Sequence, residues 1–241
     1  MNQFVLEDSD KEMQHSLRMS ASSRVWIVLA IVLCVIIGDQ VMKIWVKTQF
    51  YLGEDLPLTS WWHLKFIENN GMAFGLELWN KYILTFGRIL AVCAFIWFVI
   101  AIRNIRELRM GFFIAMALII AGAAGNIFDC VFYGKIFNNP MPPAIAEIFP
   151  PDGGYAGWFQ GRVVDMMYFP LFSFYFPDWM PWVGGEYFEF FQYIFNIADA
   201  SICIGVCLLI FFYSSDAGKA LNYVNDRFRN KGGSENENKI K

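Results

Sequence analysis

A chain of 241 residues that is 56% hydrophobic and 17% charged carries more apolar surface than one soluble core of its size can hide. Phe occurs 25 times and Trp nine times, so lipid is the simpler destination for that surface. The net charge of −3 gives no reason to expect a nucleic-acid partner.

In chain order, residues 1–23 read as a cytoplasmic N-terminal extension. The first apolar run, Val25 to Val46, is expected to be a retained spanning helix. Its uninterrupted part has the length of a signal sequence, but no small-residue cleavage site follows it. Segment 47–81 mixes Trp61, Trp62, Phe66 and Phe74 with polar residues, and short strands are expected there. Further apolar runs follow at Tyr82–Ile102, Met110–Phe128 and Tyr193–Tyr213, each close to the ~20 residues that cross a bilayer. Segment 130–192 is rich in Pro, Gly and aromatics, and Trp158, Trp179 and Trp182 suit the headgroup level. The tail 214–241 is polar, ends in Gly232-Gly233-Ser234-Glu235-Asn236, and is expected to be cytoplasmic and disordered.

Basic residues set the orientation. Arg103, Arg106 and Arg109 lie in the link between the second and third runs, and Lys219, Arg227, Arg229 and Lys231 follow the fourth. Between Cys130 and Phe190 there are only Lys135 and Arg162. The positive-inside rule then puts both termini in the cytoplasm and segments 47–81 and 130–192 outside. The expected fold class is an all-α membrane protein: four transmembrane helices over residues 24–213, a small extracytoplasmic β-rich cradle and an extended outer loop.

Polar groups in such helices are costly and need a reason. Asp39 and Lys43 end the first helix, Asn126 and Asp129 the third, and Asn196 and Asp199 open the fourth, so all six fall in one layer near the outer face. Asp39 and Lys43 are four apart and can pair. If the fourth helix starts at Tyr193, Asp199 lies roughly 9–12 Å into it. Asp165 arrives on the extended run Gly161–Phe169, and Asn69 on the first outer segment. The competing reading is that each polar residue merely caps a helix or snorkels, and Lys81 and Arg88 are read that way, as interfacial anchors. The cysteines Cys34, Cys93, Cys130, Cys203 and Cys207 are odd in number with no C-x-x-C pair, and the histidines are only His15 and His63. That argues against a disulfide framework and a zinc site.

Two carboxyls in an apolar site share a proton and titrate as a unit. One can take a proton from water while the other polarises a carbonyl, which is aspartic-protease chemistry needing no metal. A transporter using the same groups would want a polar path across the slab, and the second helix offers none near its middle. A scaffold using the aromatic outer loop would not account for Asp165 and Asp199 together.

The segments Gly38-Asp39-Gln40-Val41-Met42-Lys43, Asn69-Asn70-Gly71-Met72-Ala73-Phe74, Gly122–Asp129, Val163-Val164-Asp165 and Phe195–Asp199 occur in this order. Together they resemble the motif set of lipoprotein signal peptidase, or signal peptidase II, over roughly residues 24–213. The resemblance implies an intramembrane aspartic endopeptidase of the bacterial inner membrane, without a cofactor. It would cut signal peptides from prolipoproteins just before a cysteine carrying diacylglycerol. Its partners would be the lipidated precursor and membrane lipid, and it would act as a monomer. By motif position Asp165 and Asp199 correspond to the catalytic pair. Asp39, Lys43, Asn69, Gly71, Asn126, Asp129, Asn196 and Ala198 correspond to supporting and substrate-contacting positions. The sequence departs from the family at Cys130, where arginine is usual, so that guanidinium is absent or comes from another residue such as Arg162. It also departs in the longer stretches 136–160 and 170–190, and in the N-terminal extension.

Overall fold

With no Pro and no charge between Val25 and Gly38, nothing stops the first helix early. Helix α1 spans Ala21–Gln49, 29 residues, or about 43 Å. The computed structural model describes residues 21–70 and 81–238, with side chains as far as Arg229. Burial along α1 is the reverse of a soluble helix. Its buried positions are Arg24, Asp39, Gln40, Lys43, Val46 and Lys47, while Trp26, Ile37 and Val41 are exposed. A helix with its charges turned to its neighbours and its aliphatics turned outward is built for lipid.

Helices α2 (Lys81–Ile102) and α3 (Met110–Phe128) follow. Helix α3 continues as a π-helical turn, Asp129–Tyr133, and a last turn, Gly134–Ile136. Small residues let α3 meet α4 (Ile197–Phe211) closely. A Cβ on Gly122 would lie 2.2 Å from the Ala198 carbonyl, and one on Gly205 2.7 Å from the Ala115 carbonyl.

The fourth run differs from expectation. Residues Ile194 and Phe195 form strand β6 against strand β3 (Val163–Tyr168), Asn196 caps the helix, and α4 is only 15 residues long. It turns by 86° into α5, Ser214–Asn238. The described residues thus hold three helices long and apolar enough to span a membrane, or four if the bent pair counts as one. Helix α5 lies where the polar tail suggested no regular structure. Its first turn is tied down by Asp216, which accepts from the Arg109 backbone N–H at 3.0 Å and from Arg109 Nε at 2.9 Å. Ala220 and Val224 are buried against the cluster around Ile102, Leu108 and Phe112.

At the other end of the bundle sits an antiparallel sheet in the order β1-β2-β3-β6. Its strands are β1 (Asp55–Pro57), β2 (His63–Asn69), β3 (Val163–Tyr168) and β6 (Ile194–Phe195). The register of β2 on β3 shifts between Leu64 and Ile67, which sets Ile67 opposite Asp165. Val46, Phe50, Phe66, Tyr133, Val164 and Met166 form the core joining sheet to helices. A separate hairpin, β4 (Phe172–Tyr175) with β5 (Tyr187–Phe190), stands between β3 and β6.

Candidate active site

The π turn explains how α3 delivers its carboxylate. Widening the helix frees carbonyls, and segment 156–161 takes them: Gly161 N–H donates to Cys130 O at 2.8 Å, Phe159 to Val131 O and Ala156 to Gly134 O. A Cβ on Gly161 would sit 2.0 Å from the Asp129 carbonyl, so the approach requires glycine. The chain leaving Gly161 then enters β3 directly under the helices, which buries Asp165.

Three charges form the foundation. Lys43 Nζ lies 2.7 Å from Asp39 and 2.7 Å from Asp129, and all three side chains are wholly buried. The remaining acceptors are filled. Asp39 Oδ1 takes the Ala198 N–H at 2.9 Å, which fixes the start of α4 on α1. Asp129 takes Gln40 Nε2 at 2.8 Å and the Val164 N–H at 3.4 Å, which fixes β3. Buried charges survive only when paired and hydrogen-bonded in this way.

Above this layer lies an amide relay. Lys43 donates to Asn126 Oδ1 at 2.8 Å, and Asn126 Nδ2 donates to Asp199 Oδ1 at 2.7 Å. Asn196 Nδ2 donates to Asp165 Oδ1 at 2.6 Å and also reaches Asn126 Oδ1 at 3.2 Å. The Asn196 backbone N–H donates to Asp199 Oδ2 at 3.3 Å, and Asn196 Oδ1 accepts the Asp199 N–H at 2.9 Å. This capping box starts α4 and, through one residue, ties Asp165 to Asp199. Asp199 is the third residue of α4, so it lies in the first turn, about 4.5 Å along the axis rather than deep in the slab.

Asp165 is 2% exposed and Asp199 is half-buried. Burial, and after it the neighbouring Asp199 carboxylate, pushes the Asp165 carboxyl up to about 7, against the pull of its hydrogen bonds from Asn196 and Asn69. One carboxyl of the pair therefore keeps its proton near neutral pH. The site is open on the Asp199 side.

The structure thus brings together Asp39, Lys43, Asn69, Asn126, Asp129, Asp165, Asn196, Ala198 and Asp199. Gly71 lies outside the described residues. Sequence reasoning missed Gln40, which also accepts from Tyr133 OH at 2.9 Å. It also missed the neighbouring cluster in which Lys47 pairs with Glu68, and Glu68 with Arg162 at 3.0 Å. The signal was present: 39, 43 and 47 are successive fours on one face of α1. Arg88, read as an interfacial anchor, instead brings Nη1 to 3.4 Å from Cys130 Sγ, so a guanidinium reaches this point from α2. Arg162 is held by Glu68.

Residues from α1, β2, α3, β3 and α4 converge on one pair of carboxyls. Residues 31–214 fit the model of signal peptidase (SPase) II. The chain belongs to the signal peptidase II family. It is 46% identical over 187 residues to the lipoprotein signal peptidase of Porphyromonas gingivalis, covering 78% of this chain and 82% of that one. To the lipoprotein signal peptidase of Amoebophilus asiaticus it is 35% identical over 195 residues, covering 78% of each. Two bacterial membrane enzymes solved in meso share the fold. One aligns with TM-score 0.54 at 23% identity, over 81% of this chain and 92% of that one. The other aligns with TM-score 0.50 at 26% identity, over 77% and 91%. As a signal peptidase II family member, this protein is an aspartic peptidase of the bacterial inner membrane.

Proposed function

We propose that Asp165 and Asp199 are the catalytic pair of this peptidase. The reaction is removal of signal peptides from prolipoproteins, with the cut just before a cysteine that carries diacylglycerol. The observation that carries the assignment is Asn196, whose amide holds Asp165 while its backbone and side-chain oxygen hold Asp199. Asp199, partly open and oriented by Asn126, takes a proton from water. The water oxygen attacks the scissile carbonyl carbon, and Asp165 gives its proton to the carbonyl oxygen. As this tetrahedral intermediate collapses, one of its hydroxyls returns a proton to Asp165, the C=O bond re-forms and the C–N bond breaks. The proton held by Asp199 passes to the leaving nitrogen, freeing the amine of the lipidated cysteine and the carboxyl end of the signal peptide. Asp39, Lys43, Asn69, Gly71, Asn126, Asp129, Asn196 and Ala198 position the pair or meet substrate and do no bond-making.

The chain crosses the membrane four times with both ends cytoplasmic. The site faces outward, and the active unit is a monomer. Arg103, Arg106 and Arg109 in the α2–α3 link, and Lys219, Arg227, Arg229 and Lys231 after α4, support this orientation. A site at the edge of the slab suits a substrate held by acyl chains, whose burial contributes about 0.8 kcal/mol per CH₂. Anchoring confines the scissile bond to a narrow depth. The test is cleavage of a lipidated precursor by Asp165→Asn and Asp199→Asn. Each single change abolishes turnover while the protein stays folded and binds precursor, and the double change is hardly worse. Substantial cleavage by either single variant would refute the pair, and equal cleavage of an unlipidated precursor would refute positioning by lipid.

A further inference from the structure

The β4–β5 hairpin is an amphipathic sheet that is largely exposed on both faces. Its register pairs Phe172 with Phe190 and Phe174 with Phe188, and pairs Ser173 with Glu189 and Tyr175 with Tyr187. Side chains alternate along a strand, so one face is four phenylalanines and the other carries hydroxyls and a carboxylate. The polar face is tied to the peptidase sheet, because Tyr168 of β3 donates to Glu189. Phe172 stacks on Phe190 at 4.8 Å and Phe174 lies tilted against Phe188 at 5.1 Å, yet Phe172, Phe174 and Phe190 remain 52%, 43% and 42% exposed. At the tip Trp182 adopts φ 77, a left-handed conformation that bulky residues rarely take. It projects its indole to 97% exposure, beside Trp179 at 78%. An isolated two-stranded hairpin is marginal in water, and a contiguous apolar face of this kind marks an interaction surface.

We propose that the phenylalanine face lies in the bilayer leaflet at the active-site end, with the tip indoles at headgroup level, and that this fixes the depth of the catalytic pair. Continuity with the membrane boundary identifies the occupant. The hairpin leaves and re-enters the sheet at Tyr168 and Ile194, which are paired with each other, so it hangs from the register that holds Asp165 and leads into Asp199. Exposed rings continue at the same end of the helices, at Trp45 on α1, Tyr82 on α2 and Phe128 on α3. No Lys, Arg or His occurs between Arg162 and Lys219. Burial of aromatic rings, and not attraction to anionic lipid, therefore drives the contact.

The consequence for cleavage rests on the peptidase reading, but the membrane contact does not, and two measurements separate them. The first replaces Phe174 with photoreactive p-benzoylphenylalanine in the full chain and irradiates native membranes. The expected product is a phospholipid adduct at that position. A protein adduct, or no adduct, overturns the proposal. The second compares Phe172→Ser/Phe190→Ser with wild type on a lipidated precursor, in phospholipid nanodiscs and in detergent micelles. A several-fold loss confined to nanodiscs is expected. Equal rates in both media, or equal loss in both, overturns the depth-setting role. If wild type cleaves in neither medium, the peptidase reading fails, while the adduct still decides the hairpin's contact.

Discussion

At Asp165 the proposed chemistry and the stability of the fold depend on the same proton. Its carboxyl lies at about 7 against a usual 3.8, so the folded protein holds this proton more tightly than the unfolded chain. The stability contributed by that group is full below about pH 4 and is lost as pH rises toward about 7. Asp165→Asn removes the penalty of a buried charge. The variant is therefore expected to melt above wild type at pH 8 and close to it at pH 4, while cleaving nothing. Wild-type cleavage should fall as pH rises through about 7, when Asp165 loses its proton. A flat profile from pH 6 to 9 would contradict a shared proton. Lys43 is a second test at this scale. It neutralises Asp39 and Asp129 at once, and removing one partner from a buried pair costs about 3–5 kcal/mol. Lys43→Ala should lower the melting temperature and slow cleavage, yet leave measurable turnover. Complete loss at an unchanged melting temperature would assign Lys43 to the chemistry.

Among the elements, the α3–α4 crossing sets the site's geometry. Asn126 and Asp199 meet because Gly122, one turn before Asn126, lets the helices touch: its Cβ would stand 2.2 Å from Ala198 O and 2.5 Å from Ser201 Oγ. Gly122→Ala must push α4 away, and overpacking of this kind costs about 1–3 kcal/mol. Both the melting temperature and cleavage should drop, because the Asn126–Asp199 bond lengthens with the displacement. Gly38→Ala on α1 has open space around its Cβ and should leave both unchanged. If the two substitutions behave alike, the close crossing is not what aligns the pair. Strand β6 acts in the same way from the other side. By pairing with β3 it shortens α4 and brings Asp199 into the first turn, where a capping box can hold it. The alternative in which polar residues merely cap helices and the alternative in which they form a site are here satisfied by the same two residues.

For the whole molecule the expectation is topological. Reporter fusions at Glu107 and Gly153 should report cytoplasm and exterior respectively. Glu107 outside, or Gly153 inside, would reverse the orientation and move the site to the wrong face for a substrate anchored in the outer leaflet.

The sequence by itself determined the lipid-facing helices, since their apolar length leaves no other destination, and the layer of Asp39, Lys43, Asn126, Asp129, Asn196 and Asp199, since each stands at the same end of its run. It also carried the family, because five motifs in order are specific even where each is short. Other features depended on groups distant in the chain and were legible only in three dimensions. Gln40 acquires its role from a carboxylate 89 residues away. Arg88 meets Cys130 because α2 packs beside α3. Helix α5 is held by Arg109, and the π turn by the backbone of segment 156–161. The hairpin's composition was plain, but its tie to the sheet was not. Alternation along a strand fixes which residues share a side, and only the contact between Tyr168 and Glu189 shows which side is joined to β3.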